Sequence, residues 1–340
     1  MNTRILARRA FFCCLAILVE SITQVRPVSI EDTTGYIFGP YDFSAGDHAI
    51  GRIGFKNGFS IPAGGRVIFD TDGVSFGCLN LNNSGSMELY SDFKLGTTAA
   101  FSRSGFIKGN GQSLILTSSL RLSSLQRLKF IGDTIIDGQG NTMILDNGAQ
   151  LWVDSGVTLT LKNLVLRSGY NNATFPALNL NSATSKLALD NAVLCLANHM
   201  SFTSGKLYLH NDVSITGSST FSYRSPSTSY ITPGSTLYVD PGTIFAYVPG
   251  SGSSSKDLFQ MVDGTSRFYL NGCTLKTTST GMRLMRGQVL FENRVVVDTA
   301  LDTPNALTFG DGSSTANNVN VRVLSGSRVE INGMIVDNTV

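Results

Sequence analysis

The sequence predicts an all-β fold, a right-handed single-stranded parallel β-helix (a solenoid) of roughly ten coils. Three observations carry this. First, one short pattern recurs from residue 67 to residue 335: apolar, any, apolar, then a turn-prone polar residue. Second, several copies lie about 20–25 residues apart, the length that three short strands and three turns need to close one coil. Third, period-two alternation is widespread, as in residues 157–166, while helix-period stretches are nearly absent. A strand-and-turn unit repeated many times marks a solenoid.

The chain begins with a different kind of segment. Arg4, Arg8 and Arg9 precede a ten-residue apolar run, Ala10 to Val19. A basic start before an apolar run too short to cross a bilayer reads as a secretory signal, residues 1–21. Residues 22–60 lack a clear repeat and read as an N-terminal cap, because a solenoid end needs covering. Residues 61–340 are the repeat region, with no linker dividing it.

Within that region the copies follow one another. Val67-Ile68-Phe69 and Met87-Glu88-Leu89 are 20 residues apart, with a weaker copy at Phe106-Ile107-Lys108. Leu128-Lys129-Phe130 and Leu151-Trp152-Val153 are 23 apart; Leu187-Ala188-Leu189 and Leu207-Tyr208-Leu209 are 20 apart. Leu237-Tyr238-Val239, Phe268-Tyr269-Leu270, Val289-Leu290-Phe291 and Val329-Glu330-Ile331 complete the series. The longer intervals, such as 36 from Leu151 to Leu187, read as a coil with an insertion or as two coils with one copy degraded. Insertions are expected at 168–174, in the Ser/Thr-rich stretch 217–234, and at 250–255. The last copy ends near Ile335 with no evident cap, which leaves that coil able to pair with a partner and form an oligomer.

Composition narrows the function. A net charge of +2 and 15% charged residues give no reason to expect nucleic acid or an anionic membrane as partner. No stretch after residue 21 is long and apolar enough to span a membrane. Cys78, Cys195 and Cys273 form no CxxC pair, and read as small apolar filler in separate coils. His48, His199 and His210 are widely scattered, so neither a metal nor a cofactor is expected. Asn82 and Asn172 fit the glycosylation pattern, which matters only on a eukaryotic secretory route.

The run Ile135-Ile136-Asp137-Gly138-Gln139-Gly140-Asn141, followed by Leu145-Asp146-Asn147-Gly148 and residues 157–164, resembles coils of the pectin-lyase-like β-helix superfamily. More closely, the chain resembles secreted β-helix proteins of bacteria that live inside protists. The resemblance covers most of residues 61–340 and implies the fold. The Asn-Thr-Asp, Asp-Asp, Gly-His-Gly and Arg-Ile-Lys motifs of polygalacturonase-like enzymes do not occur, so it carries over no catalytic residue. Residues 137–141 also bear a superficial likeness to a phosphate or Ca²⁺ loop, but a tight coil turn explains them better.

Alternation assigns the flanked position of each copy to the outer surface. Trp152, Tyr208, Tyr238 and Tyr269 occupy it, with Lys206 and Arg267 two residues before Tyr208 and Tyr269. If consecutive copies stack, these residues form one exposed stripe able to bind a glycan or a protein. The bland alternative is ordinary cross-strand packing on a pleated surface. Asp154, Asp190, His210 and Asp240 follow the strands. They could gather into an acid–base or Ca²⁺ cluster, or simply form turns. The sequence thus reads as an exported, surface or secreted recognition or adhesion scaffold without catalysis. A lyase or hydrolase of acidic polysaccharide, or a structural cell-surface component, are the alternatives.

Overall fold

The computed structural model describes backbone strands from Val28 onward, and side chains of residues 59–69, 85–96, 104–168, 176–250, 255–277, 280–302 and 305–340. The signal segment 1–21, Asn82 and Asn172 lie outside the described residues, as does most of the expected insertion at 168–174.

The strands visit three faces in strict rotation, and all strand pairs are parallel. The chain is therefore a right-handed parallel β-solenoid. The first face is an eight-stranded sheet from Val28–Ile30 to Leu178–Leu180. A six-stranded sheet from Met200–Phe202 to Arg328–Asn332 takes over its place in the rotation. The second face runs for eleven strands, from Tyr36–Ile37 to Phe259–Met261, then as three strands from Met282–Leu284 to Ile335–Asp337. The third face is unbroken for thirteen strands, from Tyr41–Asp42 to Asn320–Val323. The sheets extend into the stretch read as a cap, since strands between Val28 and Ile61 pair in register with those that follow.

Alternation builds the core. Val213, Leu237, Phe268 and Val289 stack rung on rung along the third face, each with no exposed surface. Burying each such side chain contributes about 1.5–3 kcal/mol. Between residues 200 and 270 the interior is aromatic. Phe245 packs against Phe221, Phe259 and Phe268 at 5.8, 5.4 and 5.3 Å, and Tyr223 stacks on Tyr247 at 5.6 Å. The phenols are satisfied inside: Tyr223 donates to Ser227 O at 2.5 Å, and Tyr247 accepts from Leu258 N at 3.0 Å. Burial pushes both phenol pKa values up.

Turns use residues suited to positive φ. The Gly138–Asn141 turn closes with a 2.8 Å bond from Asn141 N to Gly138 O, with Gln139 at φ 50° and Gly140 at φ 84°. Residues 137–141 are thus a coil turn, as expected. At one corner of successive coils Asn163, Asn191 and Asn211 all have φ near 50°. Their amides run between coils, Asn191 to Asn163 at 2.9 Å and Asn211 to Asp190 at 2.6 Å.

Two expectations about spacing need correction. The 36-residue step from Leu151 to Leu187 is not one coil plus an insertion. Leu151 pairs with Leu178 on the first face, whereas Leu187 pairs with Leu159 on the second. The step is one coil plus the move to the next face. Residues 217–234 are not an insertion either, since they hold the strands Thr220–Tyr223 and Ser229–Ile231. The insertion at 250–255 is real. Leu237 pairs directly with Phe268, 31 residues on, and a short 3-10 helix, Ser253–Asp257, fills part of the extra length.

Cys195 and Cys273 are free thiols. Cys273 is core filler, its thiol pushed up to about 12 by burial. Cys195 instead occupies an outward, half-buried position.

Candidate functional site

The four aromatic residues do not form one stripe. Trp152 is on the first face (Gln150–Val153) and Tyr208 on the second (Lys206–His210). Tyr238 and Tyr269 are on the third (Thr236–Val239 and Arg267–Asn271). All four point outward and are half-buried, as alternation requires. The error lay in treating copies from different faces as consecutive rungs. Only Tyr238 and Tyr269 are neighbours, with ring centroids 5.2 Å apart. Tyr208 packs against Tyr230 at 5.4 Å and lies parallel to His210 at 6.4 Å. Lys206 belongs to the second face beside Lys186, and Arg267 to the third beside Thr236.

The acidic set is likewise dispersed. Asp190 and His210 end paired strands of the second face, but Asp154 follows a strand of the first and Asp240 a strand of the third. Each has local work. Asp154 O and Asp240 O close turns by accepting from Val157 N and Thr243 N. Asp190 accepts from Asn211, and His210 Nδ1 lies 3.1 Å from Thr232 Oγ1. Burial raises the Asp240 carboxyl above its usual range, partly offset by a hydrogen bond with Thr216. Among the described residues, no group of three His, Cys, Asp or Glu side chains is placed to hold a metal.

A different constellation surrounds Trp152. A groove of about 320 Å³ on the first face is lined by Ser104, Phe106, Leu125, Arg127, Lys129 and Trp152. Strand register brings them together, with Phe106, Lys129 and Trp152 paired on successive rungs. The Arg127 guanidinium lies 4.2 Å over the Trp152 ring, and Lys129 Nζ lies 5.7 Å from the Phe106 ring centre. Both are cation–π distances. Arg127 Nε donates to Gln150 Oε1 at 3.0 Å, and Gln150 Nε2 donates to Pro176 O at 3.1 Å. This fixes the guanidinium plane and leaves its two terminal amino groups without a hydrogen bond or ion pair among the described residues.

The charged side chains that line the groove, Arg127 and Lys129, are both cations. Lys129 pairs with Asp154 at 3.0 Å, and Asp154 also accepts from Asn181 at 3.0 Å. Burial would raise the Asp154 carboxyl, but the Lys129, Asn181 and Ser155 N–H bonds outweigh it and hold the pKa below its usual value. The Trp152 indole N–H is shielded from solvent and has no acceptor among the described residues. Such a group costs stability unless a ligand or water accepts from it. Two other depressions have less to offer. One, of about 410 Å³, follows the asparagine corner, whose amides bond one another. The other, of about 490 Å³, lies at the last rung.

Leu125 stands out on the groove's rim. It is the third residue of the turn Ser123–Gln126, closed by a bond from Gln126 N to Ser123 O. In the turns 62–65, 146–149, 154–157, 232–235, 240–243 and 324–327 that slot holds glycine, at φ between 73° and 77°. Here a leucine takes it at φ 61°, with 69% of its surface exposed. Left-handed backbone costs a non-glycine residue about 1–2 kcal/mol. An exposed leucine recovers little of that by burial, so Leu125 is poorly explained as a packing residue.

Sequence reasoning found Trp152 but missed Arg127, Phe106 and Leu125. Leu125 had a signal: it takes a turn slot that is glycine at residues 64, 148, 156, 234, 242 and 326, though threonine at 184 and 265. Arg127 sits two residues before its partner's column and had none.

Compared with family models, curated proteins and solved structures, the chain gives no match. No helix among the described residues is long and apolar enough to cross a membrane.

Proposed function

We propose that this protein is an exported, non-catalytic recognition scaffold that engages a partner at the cell surface through the Trp152 groove. The observation that carries the reading is the coincidence, in one groove, of a stacked Arg–Trp pair, an indole N–H without an acceptor, and an exposed leucine in a glycine slot. Tryptophan and arginine dominate the energetics of binding surfaces, and a parallel solenoid holds them on a rigid ladder. The scatter of Asp154, Asp190, His210 and Asp240 over three faces weighs against the hydrolase alternative, which needs two carboxyl groups facing one bond.

The test is a paired measurement on the full chain. Acidic and neutral polysaccharides are incubated with it and assayed for new reducing ends and for unsaturated uronide absorbance. No product is expected, while surface-displayed ligands bind and Trp152→Ala weakens that binding about tenfold or more. Turnover of any polysaccharide that is lost in Asp154→Asn or Asp190→Asn would overturn the scaffold reading.

A further inference from the structure

We infer that the Trp152 groove docks a polypeptide segment in which an acidic side chain lies next to an apolar one. This deepens the scaffold reading, on which it rests, by naming the class of partner.

Charge complementarity sets the acidic half. Arg127 offers two uncommitted amino groups in a plane fixed by Trp152 and Gln150. Lys129 adds a second cation on the same wall. The side-chain acceptors nearby are already engaged: Gln150 Oε1 by Arg127, and Asp154 by Lys129 and Asn181. A fork of guanidinium donors matches a carboxylate in two parallel bonds.

The apolar half follows from the rim. Leu125 and Phe106 line the same groove as Arg127, and Leu125 is held outward by its turn. A leucine two residues from the carboxylate-binding arginine suits a partner whose own apolar side chain lies beside its acid. A glycan fits less well on two counts. Sugar hydroxyls donate as well as accept, and the side-chain acceptors Ser104, Gln150 and Asp154 beside this wall already have donors. The Trp152 face that would stack on a sugar ring is covered by the guanidinium.

The experiment uses the full chain and fluorescent twelve-residue peptide libraries. One library fixes an Asp-Leu or Glu-Phe pair at its centre, the other the isosteric Asn-Leu or Gln-Phe pair, with random flanks in both. Oligogalacturonate and a neutral oligosaccharide are run beside them. The acidic–apolar library is expected to yield binders that the amide library does not. Arg127→Gln should weaken them tenfold or more, and Leu125→Gly about tenfold. Leu125→Gly suits the turn and so should leave the thermal transition unlowered, which separates lost contact from lost fold. Tyr238→Ala, on another face, should leave affinity unchanged. Equal yield from both libraries, an absence of binders, or unchanged affinity in both Arg127→Gln and Leu125→Gly would overturn the inference. Binding of oligogalacturonate alone would also overturn it, while leaving the scaffold reading standing; cleavage of that probe would remove the scaffold reading itself.

Discussion

Glu88 is the most constrained charge in the described chain, and its removal makes a sharp prediction. It lies on the first face, 2% exposed, although strand alternation assigns it an outward position. Neighbouring rungs cover it. Arg66 Nε donates to it at 2.7 Å and Arg66 Nη2 makes a second contact. Lys108 Nζ, Tyr90 Oη and Asn110 Nδ2 donate to its other oxygen at 2.7, 3.0 and 3.2 Å. Burial alone would raise the carboxyl pKa. The bonds from Lys108, Arg66, Asn110 and Tyr90 outweigh it and lower the value to about 2. Against an ordinary 4.5 that shift corresponds to about 3 kcal/mol of linkage, and solvent screening of the half-exposed Arg66 and Lys108 reduces it to about 2–3 kcal/mol.

The sign follows from the depressed pKa. The contribution is present in full above pH 4.5 and is lost as pH falls toward 2. Glu88→Gln should therefore destabilise the surrounding coils at pH 7, and the gap between the two proteins should close in acid. A solenoid opens in pieces, so a single global unfolding free energy is a poor readout. Amide exchange at Ser86, Tyr90 and Phe106, which donate to Gly65, Phe69 and Gly85, reports the local opening directly. After correction for intrinsic rates, their protection should fall by about 30- to 150-fold at pH 7. At pH 2.5 most of that difference should be gone. An equal gap at both pH values, or a Glu88 carboxyl titrating near 4.5, would refute the reasoning.

Other substitutions test the turns and the core. A Cβ on Gly138 would lie 2.2 Å from Leu164 Cβ and 2.7 Å from Asn163 O, whereas one on Gly140 meets nothing within 4 Å and suffers only from φ +84°. Gly138→Ala should cost about 1–3 kcal/mol and Gly140→Ala about 1 kcal/mol, and thermal melts showing the reverse order would contradict the turn geometry. Phe245→Ala empties a site ringed by Phe221, Phe259 and Phe268 and should cost about 3–5 kcal/mol. Its loss of amide protection should be centred on residues 220–275 and leave residues 105–145 unchanged. Tyr247→Phe strands the Leu258 N–H and should cost about 1–3 kcal/mol, seen as faster exchange of that amide.

What was legible in the sequence follows from what alternation encodes. Alternate burial recurs among the described strands of all three faces, as in Leu128–Phe130, Leu207–Leu209 and Phe268–Leu270, so apolar–any–apolar announces a rung but not which face it belongs to. Spacing has to supply the face. It does so where coils are regular: Leu187 pairs with Leu207 and Phe268 with Val289, as their spacing implies. It misleads where a full coil and the step to the next face add up to an interval that resembles a coil with a loop, as from Leu151 to Leu187. The aromatic stripe failed at that point, since its members were right in orientation and wrong in azimuth.

The candidate groove needed a different kind of information. Its members come from three successive coils of the solenoid, and pairing, not sequence distance, unites Phe106 with Lys129 and Trp152. The one sequence mark it left is a departure from rule. The turn slot that is glycine at residues 64, 148, 156, 234, 242 and 326 is leucine at 125. In a repeat protein the regular positions report the fold, because each must satisfy the same ladder and the same turn. A position that breaks the repeat at an energetic cost, and is exposed where it does so, is where selection for something other than folding can act. By that argument Leu125 points to the same stretch of surface that the stacked Arg127 and the unsatisfied Trp152 indole pick out independently.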